Sequence, residues 1–267
     1  MDLVNTAKIR DELAEEIRKY CEKAGVKRIV LGVSGGKDSS VAAALSARAL
    51  GPENVFGVML PDGAQKDIAD SRRVCESLGI RAFTVNIGAI HEALLEAVKE
   101  GFPAEDLLIP YGETAERESN INVGPRLRMT TLRYIAQALG AFLCGTGNLS
   151  ESYVGYCTKD GDTSCDFNPL GRLTSKEVVQ LGLSMPELPC ELVEKAPADG
   201  LSGHTDEERL GVTYQEIHDL IRYGSSGNPE ADEIIRRKHR SSAHKRAMPT
   251  VLVSETFLSE GHEFHED

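Results

Sequence analysis

The chain has 267 residues, 40% of them hydrophobic and 27% charged, and a formal net charge of −12. This size and composition can bury a full core and predict a single domain over residues 1–267. The negative charge disfavours a broad nucleic-acid surface, and the six cysteines include no Cys-x-x-Cys pair of the kind that binds zinc. Since no apolar run reaches the length of a signal peptide or membrane span, we expect a cytoplasmic protein with no membrane or nucleic-acid partner.

The first elements predict a helix, a buried strand and a second helix. Residues 3–24 are amphipathic and end at Gly25, which predicts a helix that packs before the first strand. Residues 28–33 form a short apolar run with β-branched side chains, and residues 41–50 are strong helix formers. The segment between them is therefore a strand-to-helix turn.

This turn has the composition of a phosphate-binding loop. Gly35 and Gly36 allow close backbone approach, and Ser34 and Ser39 offer hydroxyls beside the amides at a helix N-terminus. The glycine spacing excludes a Walker A loop. Asp38 next to a polyphosphate indicates a Mg²⁺ ligand, because the carboxylate would otherwise repel the phosphates. The alternative is an ordinary turn in which Asp38 caps the helix.

Strands and helices then alternate. Residues 54–60 and 81–85 predict two more strands around a helix at 65–78, and another helix is predicted at 90–99. This βαβαβ order predicts a doubly wound, mostly parallel α/β sheet with a nucleotide at the carboxyl ends of its strands.

The polar stretch 103–120 has little periodicity, and we interpret it as a mobile or partner-ordered segment. Pro125 at a first helical position predicts a helix over 126–139, and residues 141–144 predict another strand. The alternation stops after residue 185, so we divide the domain into a core at about 25–185 and a lid with a helical C-terminal extension at about 186–267.

A second glycine-containing segment, residues 144–151, follows the strand at 141–144. Glu151 is a candidate to complete a magnesium site with Asp38, and Thr146 is a candidate contact for ATP. The alternative is a glycine turn with a helix-capping pair. Beyond it, Lys159, Asp162 and Asp166 lie in a glycine-broken loop, where charges are either solvated or functional.

The loop Ser34-Gly-Gly-Lys-Asp-Ser39 resembles the SGGxDS motif of the ATP pyrophosphatases of the PP-loop superfamily. Over most of its length the chain resembles the ammonia-dependent NAD synthetases. The segments that carry this likeness are Ser34–Ser39, Asn122–Met129, Gly145–Glu151, Thr158–Asp162, Gly203–Gly211 and His244–Arg246.

The resemblance implies an adenine nucleotide alpha hydrolase-like fold, a homodimer with shared sites, and ATP-dependent amidation of deamido-NAD by ammonia. It implies ATP contacts at Gly32, Val33, Ser34, Gly35, Gly36, Lys37, Asp38, Ser39, Thr146 and Thr205. It implies Mg²⁺ on Asp38 and Glu151, and deamido-NAD contacts at Arg126, Lys159, Asp166, His244 and Lys245. Asp38 and Asp162 are the candidate catalytic residues, and Asp162 is expected to hold ammonium and help remove its proton.

The chain departs from the family at two places. A family lysine that contacts ATP is displaced by one position, so its role falls to Ser175 or Lys176. Gly124-Pro125 stands where the family commonly has Lys-Ala, although Arg126 remains.

Two other classes of protein fit the sequence less well. A tRNA-modifying PP-loop enzyme would call for a basic surface and often for cysteine pairs, and a nucleotide-binding module of the universal-stress type would not explain Glu151 or the 159–162 loop. No fused glutaminase is predicted, and Cys21 lies in a helix without a nearby histidine, so we expect free ammonia as the nitrogen source.

Three further expectations concern flexible or exposed elements. Residues 198–206, with Gly200 and Gly203 as hinges, are either a lid or a plain loop. The helix after Pro125 is either a subunit interface or a buried helix with snorkelling arginines. His262 and His265 are expected to be solvated and not to bind zinc.

Overall fold

A four-stranded parallel sheet organises the first half of the chain. The computed structural model describes residues 2–64, 68–102, 112–195, 205–252 and 254, with only the backbone of residues 112–118. The strands are Ile29–Gly32 (β1), Val55–Met59 (β2), Arg81–Thr84 (β3) and Phe142–Leu143 (β4), in the order β3-β2-β1-β4. The order reverses at β1, with β2 and β3 on one side and β4 on the other. A crevice that can hold a ligand opens at such a switch point, beyond the carboxyl ends of the strands.

Helices connect and cover these strands. They are α1 (Thr6–Lys23), α2 (Lys37–Leu50), α3 (Ile68–Leu78), α4 (Gly88–Gly101), α5 (Gly112–Leu139), α6 (Leu149–Val154), α7 (Ser175–Leu183), α8 (Cys190–Val193), α9 (Asp206–Leu210), α10 (Tyr214–Tyr223) and α11 (Pro229–Ser241). Short 3₁₀ turns occupy Pro52–Asn54 and Ala243–Lys245.

The sheet is buried on both faces. Ile29 and Leu31 of β1 belong to a core cluster with residues of α1, α2 and α7, whereas Val30 belongs to a second cluster with Leu132 and Ala136 of α5. Successive side chains of a strand point to opposite faces, so helices on both sides are needed to cover this apolar strand. The prediction of a doubly wound, mostly parallel α/β sheet is confirmed.

The C-terminal extension is helical and has its own apolar cluster. Val154 of α6, Ile217 of α10 and Ile235 of α11 are buried together in it. This cluster packs α10 and α11 against the segment that follows β4. Within the described ranges, the structure contains no helix of the length and apolar character that a membrane span requires.

The long helix α5 differs from the prediction. It begins at Gly112, so Pro125 lies inside it and residues 112–120 are helical, whereas the interpretation of 103–120 as a mobile or partner-ordered segment stays a prediction. A proline is favoured at a helix start because it has no amide proton, but here the helix continues through it at the loss of one backbone hydrogen bond. Residues 103–111 lie outside the described residues.

Other elements also begin or end at residues that differ from the prediction. Helix α2 begins at Lys37 and not near Val41, which puts Asp38 in its first turn. In the predicted helical extension, α9 and α10 are separate helices because Gly211 ends the first with φ 72°. The strand predicted at 141–144 is reduced to Phe142–Leu143. The start of the predicted 65–78 helix, lid residues 198–204 and the terminal histidines lie outside the described residues.

Candidate active site

The loop between β1 and α2 is held by its own hydroxyl groups. The Ser34 amide donates to Ser39 Oγ (3.2 Å), the Gly36 amide to Ser34 Oγ (3.3 Å), and Ser39 Oγ to the Gly36 carbonyl (3.1 Å). Gly36 is the N-cap of α2 and has no side chain to cap the helix. The first-turn amides of α2 therefore remain suited to an anion, as predicted for a phosphate loop.

The start of the loop is fixed against its neighbours. Gly32 ends β1, and the amide of the buried Val33 donates to the carbonyl of Val58 (2.9 Å). Gly35 has φ 84°, and a Cβ atom there would lie 2.8 Å from the amide nitrogen of Ser71. Only glycine fits both this conformation and this close approach to α3.

Lys37 is almost completely buried at the first position of α2, with 4% of its surface exposed. Its Nζ donates to Asp38 Oδ2 (2.8 Å) and lies 5.5 Å from the centre of the Tyr214 ring. Burial lowers the pKa of Lys37, but the negative charges of Asp38, Glu151 and Asp206 outweigh this effect and raise it. The lysine is therefore a positive charge enclosed by acids.

Asn148 joins the two predicted magnesium ligands. Its Nδ2 donates to Asp38 Oδ1 (3.1 Å), and its Oδ1 accepts from the Glu151 amide (3.1 Å). Glu151 Oε2 in turn accepts from the Asn148 amide (2.9 Å), which completes a capping box for α6. The capping pair that was an alternative to a functional role is present, and it also holds Glu151 close to Asp38 at the switch point.

The Glu151 carboxyl is electrostatically strained. Burial raises its pKa well above the usual range, the charge of Asp38 raises it further, and Lys37 only partly opposes them. No group of three or more metal-binding side chains occurs among the described residues. Two carboxylates nevertheless fit Mg²⁺, which commonly binds one or two protein carboxylates together with waters and substrate phosphates.

The 158–162 loop packs against α5. Thr158 Oγ1 and Asn122 Oδ1 are 2.7 Å apart, and Arg126 Nε donates to the carbonyl of Lys159 (3.3 Å). Asp162 Oδ1 accepts from the Thr158 amide (2.6 Å), so the acid closes its own loop. The structure thus brings Arg126, Lys159 and Asp162 together.

Asp166 is fixed by both of its oxygens. Oδ1 pairs with Arg133 Nη1 (2.5 Å), and Oδ2 accepts from the Leu143 amide in β4 (2.7 Å). These contacts anchor the segment after the 158–162 loop to the sheet. A substrate contact at Asp166 would have to be made in addition to them.

His244 and Lys245 lie in the 3₁₀ turn after α11. His244 is exposed, whereas Lys245 Nζ donates to the carbonyls of Gly155 (2.8 Å) and Cys157 (2.7 Å). Lys245 therefore clamps the C-terminal turn to the segment that leads into the 158–162 loop. It lies beside the predicted substrate contacts, with its ammonium already bound to the backbone.

A cavity of about 340 Å³ lies beside the phosphate loop. Lys37, Ser175, Lys176 and Tyr214 are among its lining residues. Ser175 is buried in the first turn of α7, and Lys176 Nζ lies 3.2 Å from Asp2 Oδ1. Both candidates for the displaced family lysine therefore face the same cavity as Lys37.

The remaining candidates are at the edge of the site. Thr146 is partly buried in the turn after β4, and Thr205 is an exposed N-cap of α9 whose Oγ1 accepts from the Glu208 amide (3.3 Å). The described contacts bring neither hydroxyl to the phosphate loop.

Sequence reasoning missed three residues of the site. They are Asn148, Tyr214 and Asp206, whose carboxylate accepts from Tyr214 Oη (3.0 Å). Asn148 had a readable signal, because Asn is a favoured N-cap and a Glu three residues later is typical of a capping box. Tyr214 had none, since only tertiary packing brings α10 to the phosphate loop.

A doubly wound parallel sheet with this loop after β1 and an acidic turn after β4 defines an ATP-using protein of the PP-loop superfamily. The sequence model described as NAD synthase matches residues 9–257. The chain therefore belongs to the NAD synthase family, whose reaction is the ATP-dependent amidation of deamido-NAD by ammonia.

Its relatives extend over nearly the whole chain. The NH(3)-dependent NAD(+) synthetase of Archaeoglobus fulgidus is 35% identical over 255 residues, covering 93% of this chain and 97% of that protein. The enzyme of the same name from Carboxydothermus hydrogenoformans is 34% identical over 252 residues, covering 93% and 98%.

Two solved structures share the fold. The NMN synthetase of Francisella tularensis superposes with a TM-score of 0.81 at 32% identity, covering 92% of this chain and 98% of that one. The NH3-dependent NAD synthetase of Campylobacter jejuni, bound to nitrate, gives a TM-score of 0.73 at 26% identity, covering 94% and 100%.

Proposed function

We propose that the crevice between β1 and β4 is the site at which this chain amidates deamido-NAD. The observation that carries the assignment is the Asp38-Asn148-Glu151 network, which joins the phosphate loop after β1 to the acidic turn after β4. It positions two carboxylates beside the amides that suit the triphosphate. A structural capping box alone would not require Asp38.

In the proposed reaction, a carboxylate oxygen of the nicotinate attacks the α-phosphorus of ATP and pyrophosphate leaves. Ammonia then attacks the acyl carbon, and AMP leaves with that oxygen. The loop amides and the charge of Lys37 stabilise the departing pyrophosphate, because they are already oriented before the reaction begins. Asp38 and Glu151 would hold Mg²⁺, which would neutralise phosphate charge. Asp162 would bind ammonium and accept its proton.

The substrate would lie along α5 and the 158–162 loop. Arg126 and Lys159 are adjacent there, and the clamp made by Lys245 brings the C-terminal turn next to them. These cationic side chains suit an anionic dinucleotide. We retain Thr146, Ser175, Lys176 and Thr205 as ATP contacts and Asp166 and His244 as substrate contacts.

The substrate itself has a second candidate. The likeness to an NMN synthetase favours testing a mononucleotide, since an amidating enzyme that makes NMN would take nicotinate mononucleotide. Purified protein with ATP, magnesium and ammonium is expected to amidate deamido-NAD with a higher kcat/KM than nicotinate mononucleotide, releasing one AMP and one pyrophosphate per amide. The reverse preference would assign mononucleotide amidation, and ADP with phosphate would exclude the PP-loop chemistry.

The same assay tests the nitrogen source. Glutamine in place of ammonium should support little turnover, and equal rates with both would contradict direct use of ammonia.

A cytoplasmic location suits the cysteines, all six of which are free thiols.

We propose a homodimer with shared sites. The edge strand β3 is exposed along its length, and Ile90, Leu94 and Val98 form an exposed apolar stripe on α4. On α5, Tyr134 is 76% exposed on the same stripe as Arg126. The other side of α5 is core, because Leu132 and Ala136 are buried against the sheet. A second copy of the chain is the occupant that we assign to these apolar surfaces.

Subunit mixing tests the shared site. In the shared-site proposal, Arg126 serves the site formed around Glu151 of the other protomer, so an equal mixture of the impaired variants Arg126→Ala and Glu151→Gln should regain roughly a quarter of wild-type activity through hybrid dimers. A mixture of Asp38→Asn with Glu151→Gln, which alters one half only, should regain none. A fully active monomer in sedimentation would contradict the shared-site proposal.

A further inference from the structure

Lys37 is an almost completely buried cation at the edge of the cavity beside the phosphate loop. Lysine is rarely buried to 4% exposure unless it is paired. Its Nζ contacts Asp38 Oδ2 at 2.8 Å and lies 5.5 Å from the centre of the Tyr214 ring. Tyr214 itself donates to Asp206. The ammonium is therefore enclosed by an acid, an aromatic face and a second acid beyond it.

The lysine contacts a proposed metal ligand directly. Asp38 has one oxygen on Lys37 and the other on Asn148, which also binds Glu151. Two carboxylates held near each other repel unless a cation lies close to both. In the ligand-free protein, Lys37 supplies this positive charge through its contact with Asp38.

We propose that Lys37 is an internal counter-ion that occupies Asp38 until ATP binds, so that Asp38 and Glu151 bind a divalent cation only together with the triphosphate. The proposal rests on the proposed function, because it assumes that the loop binds ATP. Lys37 lines a cavity together with Ser175 and Lys176. When the phosphates of ATP enter this cavity, the Lys37 ammonium binds them instead of Asp38. Asp38 is then free to bind the metal, and Lys37 stabilises the phosphates that will leave.

The consequence is a large coupling between nucleotide and metal. Without ATP, a divalent cation would have to displace Lys37 from Asp38 and remain beside an uncompensated ammonium. With ATP, the phosphates bind both charges. Binding of either ligand must then strengthen binding of the other by the same factor.

Mn²⁺ binding to the nucleotide-free protein tests this directly. Free Mn²⁺ is followed by electron paramagnetic resonance for the wild type, Lys37→Met and the matched control Lys176→Met, which removes a charge from the same cavity without touching Asp38. We expect Lys37→Met to bind Mn²⁺ at least about tenfold more tightly than the wild type, because a nearby positive charge is removed. Lys176→Met should stay within about twofold of the wild type, since its ammonium pairs with Asp2.

Nucleotide gives the second readout. With a non-hydrolysable ATP analogue, Mn²⁺ should bind the wild type far more tightly than without it, and this gain should be much smaller in Lys37→Met. Equal Mn²⁺ affinities of wild type and Lys37→Met without nucleotide would overturn the proposal. If Lys37→Met does not fold by circular dichroism, Lys37→Gln, which keeps a donor for Asp38 without the charge, replaces it with the same expected results.

The same wild-type preparation is assayed for NAD formation. If the wild type makes NAD and Lys37→Met has the same Mn²⁺ affinity as the wild type, the counter-ion proposal is refuted and the proposed function stands. A preparation that amidates neither nucleotide refutes the proposed function.

Discussion

Glu151→Gln is expected to lower the rate of NAD formation at least about 100-fold while the free energy of unfolding changes by less than about 1 kcal/mol. The capping box explains why the free energy of unfolding should change so little. Glutamine keeps an oxygen that accepts from the Asn148 amide, so α6 retains its cap. Only the negative charge beside Asp38 is lost. Turnover is measured at saturating substrates, and stability by urea unfolding.

A matched control exists on α10. Glu216 is also the third residue of a helix in a capping box, with Thr213 as its partner, and it does not line the cavity beside the phosphate loop. Glu216→Gln should leave turnover within about twofold of the wild type. A Glu151→Gln variant that retains most of its activity would show that Glu151 serves the helix cap alone.

Arg222→Met should lower the free energy of unfolding by about 2–4 kcal/mol, because it leaves the buried Glu177 carboxylate without its ion partner. Glu177 is 3% exposed, and Arg222 Nε donates to its Oε1 (2.7 Å). The pair joins the first turn of α7, which carries Ser175, to α10. Arg240→Met, which breaks the exposed pair with Glu233, should cost less than about 0.5 kcal/mol.

The effect of Arg222→Met depends on pH with a definite sign. Burial raises the pKa of Glu177, but hydrogen bonds from Arg222 and Thr174 outweigh it and hold the pKa below the ordinary value of 4.5. In the wild type, the stability from this acid is present above 4.5 and is lost as the pH falls through the lowered pKa. Arg222→Met removes the largest of the interactions that lower this pKa, so the variant loses the stability that the ion pair provides above that pH.

Unfolding at about pH 7 and about pH 4 checks this sign. The stability difference between wild type and Arg222→Met should be larger at the higher pH. A difference that does not depend on pH would contradict the assignment of the ion pair as its cause.

The fold was predictable because local patterns and the global architecture agree. The apolar strands β1 and β2 are each followed by helix-forming segments, and parallel order follows from that alternation. The phosphate loop could be predicted because its residues act within the loop itself: Gly35 allows the turn, and the hydroxyls of Ser34 and Ser39 bond to the loop backbone. Pro125 misled because a proline at a helix start and one inside a helix look alike in sequence, and only packing decides between them.

The site was less predictable where it depends on distant elements. The proximity of Asp38 and Glu151 was expected from two strand ends, but the bridging role of Asn148 requires side-chain geometry. Lys245 was expected from the resemblance to contact deamido-NAD, but the binding of its ammonium to two carbonyls some ninety residues earlier depends on tertiary packing. Tyr214 approaches Lys37 only because α10 and α11 pack on α6.

The most direct test of the central claim follows one oxygen atom. Deamido-NAD labelled with ¹⁸O in its nicotinate carboxylate is incubated with ATP, magnesium, ammonium and the purified protein, and the products are analysed by mass spectrometry. If the carboxylate attacks the α-phosphorus, each AMP released with NAD carries one labelled oxygen and pyrophosphate carries none. Label in inorganic phosphate or pyrophosphate, or unlabelled AMP formed together with NAD, would contradict adenylation of the carboxylate at this site.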